Sequence, residues 1–357
     1  MTAYPPRTGA TTVDNPPAPP PKALPTDLPS AERLGYAALR AGVPAIASGA
    51  LNVRSLRVQG VGKQRGKRIV AYQVGLEDAA TGVTRVEAVI GKFYGRERGA
   101  HADAALRALW AAGFRPPARC VVPRPYGHST EYGVLLQGRV AGRDWADHLG
   151  GPQAALARAS AGAAAWLAAL HATPLRPPPA PPARDAVAVR RFAAELGAMF
   201  PGHSGLDALA ERVAKRLLAG ATAPAPTHGD FHPKNVFLDG HRVAVIDFDT
   251  FAAREPAWDL GYAVGQLLCM SRFRHGSFEP GLAAAVAFLD AYASRKAAPP
   301  WRRVATFIAR TLLQSLHFEL YTLANGRLEL LELWPALIED ALDSDEPGTL
   351  AHFVRGR

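Results

Sequence analysis

The sequence predicts an α+β chain of two unequal lobes, a small antiparallel β-sheet lobe followed by a larger helical one. Three observations lead there. Segments rich in β-branched and aromatic residues cluster between residues 51 and 94. Apolar residues at helical spacing dominate after residue 250. Between these regions, Thr227 to Asp249 (THGDFHPKNVFLDGHRVAVIDFD) reads as a loop, a strand, a tight turn and a second strand. The chain has 357 residues, 48% of them hydrophobic, which is room for two lobes and an ample core. The natural division is a tail over 1–30, the sheet lobe over 31–138 and the helical lobe over 139–357.

The tail is rich in proline (Pro16-Pro17, Pro19-Pro20-Pro21, Pro25, Pro29), which precludes a helix or a central strand. Ser30 then caps a helix, with Glu32 in its first turn and Leu34, Ala37, Ala38 and Leu39 on its apolar side. Strands are expected from Leu51 to Val58, Arg68 to Leu76 and Arg85 to Tyr94. The first two are joined by a glycine-rich turn that begins at Gly60 and Gly62. A helix from about Glu97 to Ala112 follows, and Tyr132 to Val140 reads as a buried strand running into a connector. Gln153 to His171 is helical. Val187 to about Ala219 forms one or two amphipathic helices broken near Pro201-Gly202. Beyond Asp249 the chain is expected to be helical to its end, with Trp258, Trp301 and Trp334 in the core or in a pocket wall.

Charge and cysteine content narrow the function. The net charge is +10, but the arginines are scattered, and the nearest cluster (Lys63 to Arg68) suits a phosphate-facing loop equally well. Nucleic acid is therefore not expected as a partner. Cys120 and Cys269 are the two cysteines, so no disulfide framework is expected and a reducing cytoplasm is the default. Neither a signal peptide nor a membrane span is expected, for no apolar run reaches about 18 residues without a charge. The oligomeric state leaves no trace in the sequence.

The chemistry concentrates in the hairpin. Asp239-Gly240 between two apolar runs is a strong turn signal. It brings Asp230 and Asn235, ahead of the first strand, close to Asp247, just past the second. Magnesium takes oxygen ligands, with one or two from protein and the rest from water and phosphates. Asn235 and Asp247 suit that task, which leaves Asp230 to accept a hydroxyl proton. Protein kinases use the spacing H-R-D-x-x-x-x-N followed by a metal-binding Asp. Here it is His228-Gly229-Asp230 with Asn235 five residues on, then Ile246-Asp247-Phe248-Asp249.

HGDFHPKN, VIDFDTF and EPAWDLG together resemble the aminoglycoside phosphotransferase and choline kinase family, the small-molecule branch of the protein-kinase-like two-lobed fold. The resemblance implies an ATP-dependent phosphotransferase acting on a hydroxyl of a small molecule, such as an aminoglycoside, a sugar or an amino alcohol. It implies that Asp230 is the catalytic base and that Asn235 and Asp247 hold Mg²⁺. Asp249 would assist metal or substrate, Asp259 would brace the catalytic loop through backbone contacts, and His228 would be architectural. Lys92, on the third strand, would reach the nucleotide phosphates, which Gly60 and Gly62 would cover. Gly138 and Val140 would offer backbone groups to the adenine edge. The family's helical Glu that orients this lysine has no counterpart, and Asp103 and Glu97 are the acids at hand. A nucleotide-binding pseudokinase that acts as a regulatory module stays open as the alternative.

Overall fold

The computed structural model describes residues 28–64, 67–93, 96–203 and 205–349. Most of the proline-rich tail therefore lies outside the described residues. The sheet lobe begins with helix α1 (Leu28–Gly42), which starts two residues before the predicted cap, and the short helix α2 (Pro44–Ala47). Strands β1 (Leu51–Gln64), β2 (Lys67–Asp78) and β3 (Thr84–Phe93) follow, then α3 (Arg96–Ala111). Next come β4 (Cys120–Val121), β5 (Pro125–Ser129) and β6 (Val134–Gly138). The antiparallel sheet has the order β1-β2-β3-β6-β5.

Alternation along these strands decides which residues reach the cleft. Val134 and Leu136 point to the face covered by α1, in one core with Val70, Tyr72, Val89 and Phe93. Leu135 points the other way and joins the core of the larger lobe, with Leu106 and Leu109 of α3. Lys92 lies directly opposite Leu135 in the β3–β6 register and therefore shares its face. The pleat thus aims Lys92 away from α1.

The larger lobe opens with β7 (Arg143–Asp144), α4 (Gln153–His171), α5 (Ala183–Met199), α6 (Leu206–Leu218) and β8 (Ala225–Thr227). The predicted hairpin is present as β9 (Val236–Asp239) and β10 (Arg242–Val245), with Gly240 at φ +57° supplying the left-handed turn. These strands form a second sheet in the order β4-β10-β9-β7. The last segment is not helical throughout, because β11 (Ala252–Arg254) pairs antiparallel with β8. A three-residue strand carries too little periodicity to read in advance. Helices α7 (Pro256–His275), α8 (Glu279–Ala293), α9 (Trp301–His317) and α10 (Leu330–Asp343) complete the lobe. Helix α9 ends at His317 and passes into a π-helical turn, Phe318–Thr322. Trp258 and Trp334 are buried, and Trp301 is half-buried with its indole N–H donating to Ser344 Oγ at 2.7 Å. No helix among the described residues is long and apolar enough to cross a membrane.

Candidate active site

The loop that enters the site is bent at Gly229, whose φ is +79°. A Cβ there would lie 2.5 Å from the carbonyl oxygen of Thr250, so both the conformation and the space call for glycine. Asp259, fully buried on α7, fixes this bend. Its carboxylate accepts the backbone N–H of His228 and of Gly229, each at 2.8 Å, and a hydrogen bond from His171 Nε2 at 3.1 Å. Burial alone would push the Asp259 carboxyl up. The hydrogen bond from His171 and the backbone N–H donors outweigh it and hold the group below its ordinary value. Tyr292 donates its hydroxyl to the other nitrogen of His171 at 2.8 Å, which leaves that ring a structural member.

His228 is enclosed as well. Its Nε2–H donates to the carbonyl of Ile246 at 2.9 Å, and its Nδ1 accepts the backbone N–H of Asp230 at 3.2 Å. One ring nitrogen must donate and the other accept, so the neutral imidazole is the form that fits. Burial lowers its pKa in the same direction. The ring ties the loop at Gly229 to the far end of the hairpin.

The carboxylate of Asp230 is partly open. Oδ1 accepts the phenolic O–H of Tyr262 at 2.7 Å. The amide nitrogen of Asn235 donates to the backbone carbonyl of Asp230 at 3.0 Å and lies 3.5 Å from Oδ2. His232 Nε2 is 3.8 Å from Oδ2. A 3-10 turn, Pro233–Asn235, carries the chain from His232 into β9 and is capped by His232 Nδ1 on the N–H of Lys234. Lys234 itself is exposed.

The hairpin register brings the second acid in. The N–H of Ile246 donates to the carbonyl of Asn235 at 3.0 Å, one step beyond the last β9–β10 pair, so Asp247 follows beside Asn235. Asp247 has φ +73°, an unusual value for a residue other than glycine and one that tends to persist at functional positions. From the other lobe, Lys92 Nζ reaches Asp247 Oδ1 at 3.3 Å, and the lysine is 5% exposed. Asp103 of α3 is thus not what meets Lys92. Asp103 accepts instead from Arg107 at 2.7 Å, and the side chain of Glu97 lies outside the described residues. At the position where a helical acid would sit, His101 bonds the backbone carbonyl of Phe251 at 2.9 Å.

Gly60 and Gly62 lie within β1, opposite Ala71 and Ile69, and not in a turn as expected. A bulge between Val58 and Gly60 lets the two-stranded ribbon absorb the glycines and run on to Gln64. The tip, 65–66, lies outside the described residues. Gly138 and Val140, on the connector, line a cavity of about 590 Å³ whose floor includes Phe237 and Ala244 of the hairpin. Asp249 is half-buried two residues past Asp247.

Three supporting residues escaped the sequence reading, and a fourth, Trp258, was expected only in the core or a pocket wall. Tyr262 is one. Trp258 donates its indole N–H to the carbonyl of Gly229 at 3.1 Å. Phe231 and Phe248, each next to a catalytic-loop or hairpin Asp, are fully buried and pack on Trp166, with ring centroids 5.9 and 6.0 Å away. The repeated Asp-Phe pair was the available signal, for an apolar ring beside each acid anchors the backbone while leaving the carboxylate free.

The donor set suits a hard divalent cation. With the Asn235 amide nitrogen committed to Asp230, its oxygen remains as an acceptor, and Asp247 adds a carboxylate. Among the described residues no cluster of three or more His, Cys, Asp or Glu side chains is gathered for a metal. An amide and a carboxylate are what a magnesium ion shared with phosphates needs from a protein.

The architecture and this corner define a protein-kinase-like fold of the small-molecule type. The model of the phosphotransferase enzyme family matches residues 89–307, and the chain belongs to that family. It is a small-molecule kinase, a phosphotransferase. Among solved structures it is similar to a choline/ethanolamine kinase family protein from Mesorhizobium loti, at 17% identity over 91% of this chain and 99% of that one, TM-score 0.55. It is also similar to a spectinomycin phosphotransferase solved with ADP and spectinomycin, at 12% identity over 92% and 98% of the two chains, TM-score 0.54. A choline kinase from Streptococcus pneumoniae resembles it at 17% identity over 83% and 95%, TM-score 0.51. No curated protein matches the chain.

Proposed function

We propose that this phosphotransferase moves the γ-phosphoryl group of ATP to a hydroxyl of a small molecule, with Mg²⁺ at Asn235 and Asp247. The observation that carries the reading is the convergence of Lys92 from the sheet lobe on Asp247 beside Asp230 and Asn235. Asp230 orients the acceptor hydroxyl and takes its proton. Lys92 positions the nucleotide phosphates, and Gly60 and Gly62 cover them with backbone N–H groups. The connector at Gly138 and Val140 receives the adenine edge through its backbone. Asn235 and Asp247 would hold the magnesium ion, which would supply positive charge against the charge that develops on the transferred group. Everything else is placement, since phosphoryl transfer depends on alignment and fixed charge more than on covalent steps.

Two acids of the last third are engaged elsewhere in the fold. Glu255 is buried against Arg303, and Glu319 accepts from Asn325. Neutral sugars and amino alcohols therefore stand beside aminoglycosides as acceptor classes. The test is a screen of these three classes with ATP and Mg²⁺, read by an 80 Da mass gain, the mass of one added phosphoryl group in the mechanism proposed here. Asp230→Asn should lose turnover while keeping nucleotide binding. A chain that binds nucleotide yet never phosphorylates any acceptor, nor hydrolyses ATP, would be the regulatory pseudokinase instead.

A further inference from the structure

The catalytic hairpin has two faces, and each lines a cavity. Phe237 and Ala244 face the connector, whereas Leu238 and Val243 face α4 and floor a separate cavity of about 300 Å³. The approach of α4 is close because Gly162 sits over the hairpin. A Cβ there would meet Val243 at 3.1 Å and Leu238 at 3.3 Å. Around this apolar floor stand Arg119, Arg143, Arg158, His148 and His241, brought from five different segments.

Their positions are set by the fold. Arg119 precedes β4, and its carbonyl accepts the N–H of Val243 at 2.8 Å. Arg143 lies in β7, opposite Leu238, and donates to the carbonyl of Asp147 at 3.1 Å. Arg158 projects from α4. The guanidinium groups of Arg119 and Arg158 make no hydrogen bond or ion pair among the described residues. His148 Nε2 is fully buried and has no protein partner among them. Asp144 and Asp147 lie near His148, but no acidic side chain lines the cavity among the described residues. Three guanidinium groups held near one another repel, and a buried ring nitrogen without a partner is costly. Both are relieved by one anion.

We propose that this cavity is a second ligand site that takes a small organic phosphate, its phosphate on Arg119, Arg143 and Arg158 and its carbon skeleton on the Leu238–Val243 floor. Guanidinium forks match oxyanions in pairs, and three of them are better met by the three terminal oxygens of a phosphate than by the two of a carboxylate or by a halide. The volume is at the small end of ligand pockets, about 300 Å³, which suits a monocyclic skeleton. Because the site lies behind the hairpin, its ligand and a nucleotide in the cleft do not compete for the same groups.

The test uses the full chain carrying Lys92→Ala, which disables the cleft lysine, and phenyl phosphate as the probe in titration calorimetry. Saturable binding is expected there. It should weaken about tenfold or more in Arg143→Gln/Arg158→Gln, as expected for the loss of charge-assisted hydrogen bonds, and also in Ala155→Trp, which fills the cavity but keeps every charge. Both sets of positions are at least partly exposed, so circular dichroism should show the fold intact. Absence of saturable binding at millimolar probe, equal affinity in the pocket variants, or loss of binding through Lys92→Ala alone would each overturn the proposal. So would duplex DNA that displaces the probe through the same arginines with a steep salt dependence, since that describes a nucleic-acid surface.

Discussion

The phenolic oxygen of Tyr262 lies 2.7 Å from Oδ1 of Asp230, one turn along α7 from the Asp259 that fixes the loop. One helix therefore both bends the catalytic loop and orients the carboxylate at its end. Removing that donor in Tyr262→Phe should lower kcat about tenfold, the order expected for a hydrogen bond to a charged group. The nucleotide KM should hardly change. A carboxylate that has lost a donor takes a proton more readily, so the acidic limb of the pH–rate profile should move to higher pH. A lower kcat with an unmoved profile would make Tyr262 a packing residue only.

Lys92 and Asp247 are paired at 3.3 Å across the cleft, with the lysine almost fully buried. Lys92→Ala should weaken nucleotide binding by about ten- to a hundredfold, the worth of a lost charge-assisted contact. Calorimetric titration with ATP and Mg²⁺ checks this. Unchanged affinity would mean that the lysine serves the lobe contact and not the phosphates.

Arg303 and Glu255 form a buried pair, with Arg303 Nη2 2.5 Å from Glu255 Oε1, and the same guanidinium caps the carbonyls of Leu217 and Ala219 at the end of α6. Glu255→Ala strands that charge and should cost about 3–5 kcal/mol in urea unfolding, the usual penalty for breaking a buried pair. A loss well below that range would show that the carbonyls alone suffice to hold Arg303.

Acid should loosen the fold in two stages. His228 is held below its ordinary pKa of about 6.5, so the unfolded chain binds the extra proton first. Its contribution is therefore complete above that value and falls as pH drops through it. His128 and His148, lowered mainly by burial, act in the same direction. Asp259, also lowered, adds stability that persists until pH falls through the ordinary carboxylate value of about 3.9. Thermal unfolding of wild type and His228→Gln at about pH 7.5 and pH 5.5 separates the terms. The variant should lose less stability on acidification, and identical slopes would remove His228 from the account.

The corner made by Asp230, Asn235 and Asp247 was legible because it depends on short-range spacing and on a hairpin with an Asp-Gly turn. The facing of Lys92 came from the family resemblance, which places a lysine on the third strand, and not from the strand's own pattern. Tyr262 was not, since a tyrosine three residues past Asp259 in an apolar helix looks like core until the helix is docked. The β8–β11 pairing was equally silent, for it joins residues about 25 apart through strands too short to show alternation. The glycines before the first hairpin tip misled in the opposite sense. Glycine signals permission to turn, and in β1 that permission went into a bulge.

Phe231, Phe248, Trp166 and His228 form one continuous ring cluster, with Phe231 also stacked on Phe288 of α8. The acids proposed as reactive, Asp230 and Asp247, are thus chain neighbours of rings in the nucleus that keeps the helical lobe solid. Heat or denaturant that releases the indole fluorescence of that nucleus should abolish turnover with it.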